Sequence, residues 1–258
     1  MNTWLHQQFG LDGKRAVVTG ASRGIGRAIA VALAAAGAEV LVHYHKGALQ
    51  AEETVKEIVT AGGRAWSGGA DLTHSDSTNA LFDQVKERWG ALDILVNNAG
   101  DMVTRTPLDS IDDVLMNSIL EVNLGSCLRA SRAAIPLLRR GVKPAIVNMT
   151  SMNAHHGGFG GTSVYAASKG AILTLTRSLA RELAPQIRVN AISPGLILTG
   201  LHDRLTPADK VEQVAASTPL GRNGTTEECG AAVVFLCGPG ASFITGEVIE
   251  INGGLYMT

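Results

Sequence analysis

Apolar and polar positions fall into short blocks along this chain, and each block has its own period. From Arg15 an Arg-Ala-Val-Val run breaks into Thr19-Gly-Ala-Ser-Arg-Gly-Ile-Gly26; Ile25, Ile29, Ala32, Leu33 and Ala36 then recur three and four residues apart, up to Gly37. That spacing predicts a helix with one buried face, so the unit reads strand, turn, helix. Glu39-Val-Leu-Val-His-Tyr44 predicts a second strand, and 48–61 a polar helix. Arg64 to Ala70 predicts a third strand, and Leu81, Phe82, Val85 and Trp89 give one apolar face to a helix over 75–89. Ile94-Leu-Val96 is an unbroken apolar run, as in a parallel strand covered on both faces. A helical region over 111–140 is interrupted near Asn123 and Gly125. Strands follow at 145–149, 187–192 and 247–251, with a long helix over 162–184 that stops before Pro185.

Strand and helix alternating in this way predict an α/β fold. The expected form is a Rossmann-like doubly wound, mostly parallel seven-stranded sheet with helices on both faces. No linker or repeat divides 1–258, so a single domain is expected. In such a sheet ligands bind at the carboxyl ends of the strands, where strand order reverses. Thr19-Gly20, Asp71-Leu72, Asn97-Asn98, Thr150-Ser151 and Pro194-Gly195 all directly follow apolar runs, so five turns point to one edge.

Composition narrows the function. Hydrophobic residues make up 45% of the 258 and charged residues 17%, with a net charge of −1. Without a basic stripe, nothing favours nucleic acid or an anionic membrane as partner, and small-molecule chemistry is the better expectation. No apolar run approaches the roughly 20 residues that span a bilayer. His6, Gln7 and Gln8 stand where a secretory signal would place its apolar core, so a cytoplasmic location is expected. Cys127, Cys229 and Cys237 form no Cys-x-x-Cys pair, which predicts reduced core thiols, and no metal site is visible.

Two stretches carry chemistry. In the first turn Gly20, Gly24 and Gly26 remove side chains that would block close approach, and a helix N-terminus adds partial positive charge, which together suit a pyrophosphate. The spacing is Gly-x-x-x-Gly-x-Gly, and by itself it equally describes a turn that packs a helix on a strand. In the second stretch Tyr165 and Lys169 stand four apart and share a helix face. A phenol with a pKa near 10 is a poor base at neutral pH, but a neighbouring ammonium and an oxidised nicotinamide favour the phenolate. Tyr165 can then be general acid in reduction and general base in oxidation, with Ser151 donating to the substrate oxygen. Thr150 also carries a hydroxyl, so the serine assignment rests on alignment.

From about Leu11 to Tyr256 the chain resembles the short-chain dehydrogenase/reductase family. Thr19-Gly-x-x-x-Gly-Ile-Gly26 is similar to its cofactor turn, Asn97-Asn-Ala-Gly100 to its sheet-stabilising turn, and Tyr165-x-x-x-Lys169 to its catalytic pair, with Asn123, Ser151 and Pro194-Gly195 in step. The resemblance implies a nicotinamide cofactor and reversible ketone–alcohol conversion. It implies Ser151, Tyr165, Lys169 and Asn123 as catalytic residues, with Lys169 also holding the nicotinamide ribose and Asn123 placing a water in a proton relay. Cofactor contacts are implied for Gly20, Ser22, Arg23, Gly24, Ile25, Gly26, His45, Lys46, Asp71, Leu72, Asn98, Ala99, Gly100, Tyr165, Lys169, Pro194, Gly195, Ile197 and Thr199. Asp71 has a second reading, as a cap on the next helix.

NADP(H) is expected over NAD(H): Tyr44 holds the position of the NAD-selective acid, no Asp or Glu occurs between Val40 and Gln50, and Arg23, His45 and Lys46 supply cations. The expected substrate is a small polar carbonyl such as a keto sugar or sugar acid, read by Asp101, Met102, Arg105, Asn153, His155, His156, Phe159, Leu201, His202, Asp203 and Arg204, with substrate loops at about 196–216. Resemblance to 3-oxoacyl carrier-protein reductases makes an acyl thioester the alternative, and a non-catalytic NADP-binding sensor is the alternative of another class. Small residues along 162–184 (Ala166, Ala167, Gly170, Ala171, Thr174, Ser178) point to a homotetramer of the family's kind.

Overall fold

The structure, a computed structural model, describes residues 3–200 and 206–257. Seven strands form one sheet: β1 (Arg15–Val18), β2 (Glu39–Tyr44), β3 (Arg64–Gly69), β4 (Ile94–Asn97), β5 (Ala145–Met149), β6 (Arg188–Pro194) and β7 (Val248–Ile251). Their order is β3-β2-β1-β4-β5-β6-β7, and each neighbouring pair is parallel. The expected mostly parallel sheet is thus parallel throughout. β1 registers Val18 against Val42 on one side and Val96 on the other, so strand order reverses between β1 and β4 and opens a crevice beyond their carboxyl ends.

Two apolar layers cover the sheet. On one face α2 (Gly24–Ala35), α3 (Ala48–Thr60) and a helix at Thr226–Cys237 bury Ile29, Leu33, Ile58, Val233 and Leu236 against Val18, Val40 and Val96. On the other, α4 (Ser75–Trp89), α6 (Ser126–Leu138) and α8 (Ser163–Leu183) bury Leu81, Phe82, Ala134, Leu137 and Leu183 against Leu41, Leu95 and Ile146. Each fully buried Leu or Ile here contributes about 1.5–3 kcal/mol. α5 (Asp113–Leu120) starts at Asp112, whose Oδ1 accepts from the Leu115 N–H at 2.7 Å, and runs through a π-helical turn, Glu121–Gly125, into α6. The interruption expected near Asn123 is that π turn.

Among the described residues, four helices went unpredicted: α1 (Thr3–Phe9), α7 (Asn153–His156), α9 (Ala208–Ser217) and α10 (Thr226–Cys237). α1 and α9 bury no residue, so no apolar stripe marks them. α10 fails for another reason: it is apolar on most sides, and its Gly230 lets it approach α2 so closely that a Cβ there would sit 3.1 Å from the Ala28 carbonyl. Its start was legible, since Thr225 and Glu228 form a capping box. Among the described residues, no helix is long and apolar enough to cross a membrane.

Candidate active site

The reversal of strand order places the first turn and the turn after β4 side by side. Asn98 spans them: its Nδ2 donates to the carbonyls of Thr19 (2.9 Å) and Gly20 (3.0 Å), while the N–H groups of Asn98 and Ala99 both donate to Thr19 Oγ1 at 2.9 Å. α2 is preceded by Arg23, in extended conformation, which provides no side-chain cap. Its first-turn amides therefore lack both intrahelical and side-chain acceptors, the arrangement that an anion completes. Gly24, at φ +56°, turns its bare Cα toward Thr199, whose Cγ2 lies 3.6 Å from where a Cβ would stand.

A cleft of about 930 Å³ runs from this turn across the sheet edge. Gly20, Arg23, Gly24, Ile25, Gly26, Asn98 and Gly100 line it, as do Ser151, Tyr165, Lys169, Pro194, Gly195, Ile197 and Thr199. His45, Asp71, Leu72 and Ala99 line a neighbouring cavity of about 570 Å³. Ser22 and Lys46 line neither; Lys46 is exposed, and Ser22 Oγ packs beside Gly47. The glycine cradle, the uncapped helix start and a cleft of dinucleotide size fit a nicotinamide cofactor.

Asp71 does not cap α4, whose start at His74 has no side-chain cap; its carboxylate instead closes the turn that precedes the helix. Its Oδ1 accepts from the Thr73 N–H (2.9 Å) and hydroxyl (2.7 Å), and Oδ2 lies 3.5 Å from His45 Nε2 and 3.2 Å from His74 Nδ1. Burial pushes its carboxyl up, but the Thr73 hydrogen bonds outweigh that and leave it below the usual carboxylate range.

At the centre of the cleft the polar groups come from four elements. Ser151 follows β5, its Oγ accepts from the Asn153 N–H at 3.2 Å, and it lines the cleft together with Tyr165. The Thr150 hydroxyl instead donates to the Ile192 carbonyl at 3.0 Å. Lys169, buried on α8, donates to the Met149 carbonyl at 2.9 Å and lies 5.7 Å from the Tyr165 ring centroid. Burial lowers its ammonium to about 8. Tyr165 is pushed up to about 12, chiefly by burial, with the Ser151 hydrogen bond pulling down and Asp101 pushing further up. The phenol is therefore a protonated acid here, and the neighbouring ammonium does not bring it into the neutral range. Asn123, in the π turn, donates through Nδ2 to the carbonyls of Asp101 (2.7 Å) and Ile119 (2.8 Å), while its buried Oδ1 has no partner. That oxygen and Lys169 Nζ face the space a Gly100 side chain would fill, at 2.6 and 3.3 Å from its Cβ position.

Beyond the reacting centre the cleft is lined by Asp101, Met102, Arg105, Asn153, Phe159, Thr206 and Lys210. His155 and His156, expected among the substrate contacts, are not. His155 stacks on Tyr256 with ring centroids 4.4 Å apart and its Nε2 stands 3.0 Å from Glu250 Oε1, while His156 is exposed and its Nδ1 accepts from the Gly158 N–H. The two histidines lie on α7, which turns the first of them down toward β7. Leu201, His202, Asp203 and Arg204 lie outside the described residues.

A family profile described as enoyl-(acyl carrier protein) reductase matches residues 20–256. The 3-oxoacyl-[acyl-carrier-protein] reductase FabG of Staphylococcus aureus is 38% identical over 252 residues, covering 95% of this chain and 98% of its own. This chain is a short-chain dehydrogenase/reductase. As such it is an oxidoreductase acting on CH–OH groups with NAD(P). Among solved structures, a dehydrogenase/reductase from Sinorhizobium meliloti superposes with a TM-score of 0.93 at 35% identity, covering 99% of this chain and 100% of that one. A gluconate 5-dehydrogenase from Burkholderia cenocepacia, in complex with NADP and tartrate, gives 0.90 at 30% identity and covers 97% and 98%.

Sequence reasoning passed over His43. This residue is 2% exposed in the middle of the sheet; its Nδ1 accepts from the Gly20 N–H at 3.0 Å, and its Nε2 is 3.0 Å from the Ala70 carbonyl. The contacts require a neutral ring protonated on Nε2, and burial drives its pKa down to about 4. A histidine inside Val-Leu-Val-His-Tyr is the signal that was available, since a polar residue in a buried run needs partners. Between pH 6.5 and about 4 the unfolded chain takes up a proton that the folded chain refuses, so stability is full above that window and falls through it. Urea unfolding at pH 7.5 and 4.5 should show wild type losing about 2–3 kcal/mol more than His43→Asn. Equal losses would remove His43 as the cause.

Proposed function

We propose that this enzyme uses NADPH to reduce a small polar ketone, a keto sugar or sugar acid, to the secondary alcohol. The observation that carries this reading is that Arg105 and Lys210 line the same cleft as Ser151 and Tyr165, which offers a carboxylate charge-assisted hydrogen bonds at a distance from the reacting carbonyl. The Burkholderia gluconate 5-dehydrogenase, with its bound tartrate, supports it by analogy. Bound NADPH supplies the hydride. Ser151 donates a hydrogen bond to the carbonyl oxygen and Tyr165 delivers the proton to it. Lys169, fixed by the Met149 carbonyl, holds the ribose and stabilises the phenolate left behind. The unpartnered Asn123 Oδ1 accepts from a water that passes protons toward Lys169.

The same reading takes NADPH over NADH. Tyr44 stands at the acid's position, its ring packed over Gly69, and Arg23 is exposed at the start of α2. The test is kcat/KM for NADPH and NADH with a panel of keto-uronates and keto sugars beside an acetoacetyl thioester. A preference for NADPH and for the polar ketones is expected; preference for NADH, or for the thioester, rejects the corresponding half. A thioester is the second reading because FabG is 38% identical and Met102, Met152 and Phe159 offer an acyl chain apolar contact.

A further inference from the structure

The turn after β4 puts an acid on the wall of the cleft. Asp101 directly follows Asn97-Asn-Ala-Gly100 and lines both the main cleft and the neighbouring cavity. Its placement is specified twice. The backbone carbonyl accepts from Asn123 Nδ2 at 2.7 Å, and the side-chain Oδ1 accepts from the Val103 N–H at 2.9 Å. Val103 itself sits at φ +62°, a left-handed conformation that is costly for a β-branched residue. Strain of this kind persists only where surrounding contacts over-determine the turn, and here the turn they fix is the one that carries the carboxylate.

We propose that the Asp101 carboxylate orients the substrate: it turns a keto acid so that the acid's own carboxylate lies toward Arg105 and Lys210, remote from the carbonyl that meets Tyr165. The inference rests on the reading that the substrate is a sugar acid, and deepens it. Two negative charges side by side in a cleft of reduced dielectric repel strongly, whereas Arg105 and Lys210 attract. A 2-oxo acid, with carboxylate and carbonyl on adjacent carbons, is therefore disfavoured. A keto acid whose carbonyl stands several carbons away is favoured.

The same charge acts on the proton step. In reduction the hydride bonds to the carbonyl carbon, the C=O π pair moves to oxygen, and that oxygen takes the Tyr165 proton; oxidation runs the reverse and needs the phenolate. Among the described residues, the groups around Tyr165 are the Ser151 hydroxyl from the end of β5, Lys169 from its own helix and Asp101 from the turn after β4, and Arg105 and Lys210 line the same cleft. Among the charged groups, Asp101 opposes the phenolate and pushes the phenol up. The Asp101 charge thereby opposes the loss of the Tyr165 proton that alcohol oxidation needs.

Asp101→Asn tests both consequences, because the amide Oδ1 still accepts from the Val103 N–H while the charge is gone; Asp101→Ser is the second variant should the first fold poorly. With NADP+ and an uncharged secondary alcohol, the ascending limb of the kcat–pH profile should move about 1 unit toward acid. With NADPH, kcat/KM for a 2-oxo acid relative to a six-carbon 5-oxo acid should rise about tenfold. An unmoved limb, or an unchanged ratio between the two keto acids, overturns the proposal, whatever happens to Tm, because a purely structural role moves neither. The limb is read on an uncharged alcohol, so if no keto acid is turned over the sugar-acid reading falls on its own and the limb still judges Asp101's charge.

Discussion

Tyr165→Phe is expected to bind NADPH like the wild type and to turn over about 10²–10⁴-fold more slowly. The separation follows from what each group is tied to. Lys169 is positioned by the Met149 carbonyl and by its own burial, so loss of the phenol hydroxyl leaves it in place. The amides of the α2 start and the Pro194–Gly195 turn are likewise independent of it; the N–H of Gly195 donates to the Ile251 carbonyl at 2.9 Å. What disappears is the proposed acid, while Ser151 keeps its hydrogen bond from the Asn153 N–H. Fluorescence titration with NADPH alongside single-turnover reduction would read the two effects separately. Turnover within a few-fold of wild type would sink the assignment, and loss of NADPH binding would show that the ring, not the proton, is what the site needs.

The parts of this site that the sequence exposes are those fixed by local rules. Glycines at positions 20, 24 and 26, the four-residue spacing of Tyr165 and Lys169, and the strand ends carrying Asn98, Ser151 and Pro194 all follow from turn and helix geometry, and the structure assembles them on one edge. What stayed hidden depends on contacts between segments far apart in the chain. The Asp71 pairing with His45 joins the ends of β2 and β3, and the His155 contact with Glu250 joins the loop after β5 to β7. No window of sequence holds either pair. The Thr150 hydroxyl is likewise taken by the carbonyl of Ile192, forty-two residues away, a contact that local sequence does not hold. His43 is the intermediate case: its burial was readable, but its partners at Gly20 and Ala70 were not.

Gly26→Ala should damage both stability and cofactor binding, although it adds only one methyl group. Gly26 is buried in the first turn of α2 with ordinary helical backbone, so the glycine is there for closeness rather than for a left-handed φ. A Cβ at this position would stand 2.3 Å from the Gly20 carbonyl oxygen and 2.4 Å from Asn98 Nδ2. Neither neighbour can yield cheaply, because Nδ2 of Asn98 is itself hydrogen-bonded to that oxygen and to the Thr19 carbonyl. Relief requires α2 to lift from β1 or Asn98 to leave its bridge, so overpacking of about 1–3 kcal/mol adds to about 1–3 kcal/mol for buried polar groups left unpaired. The displaced helix start also carries the amides that would face the pyrophosphate, so NADPH affinity should fall more than tenfold along with Tm. Gly24→Ala provides the contrast. Its Cβ would meet only Thr199, at 3.6 Å, and the cost of about 1–2 kcal/mol comes from an L-residue at φ +56°. Gly26→Ala should therefore unfold at lower urea than Gly24→Ala, with both losing cofactor affinity because both alter the cradle. Equal stability of the two variants would mean that the turn gives way at Gly26 more easily than its hydrogen bonds allow.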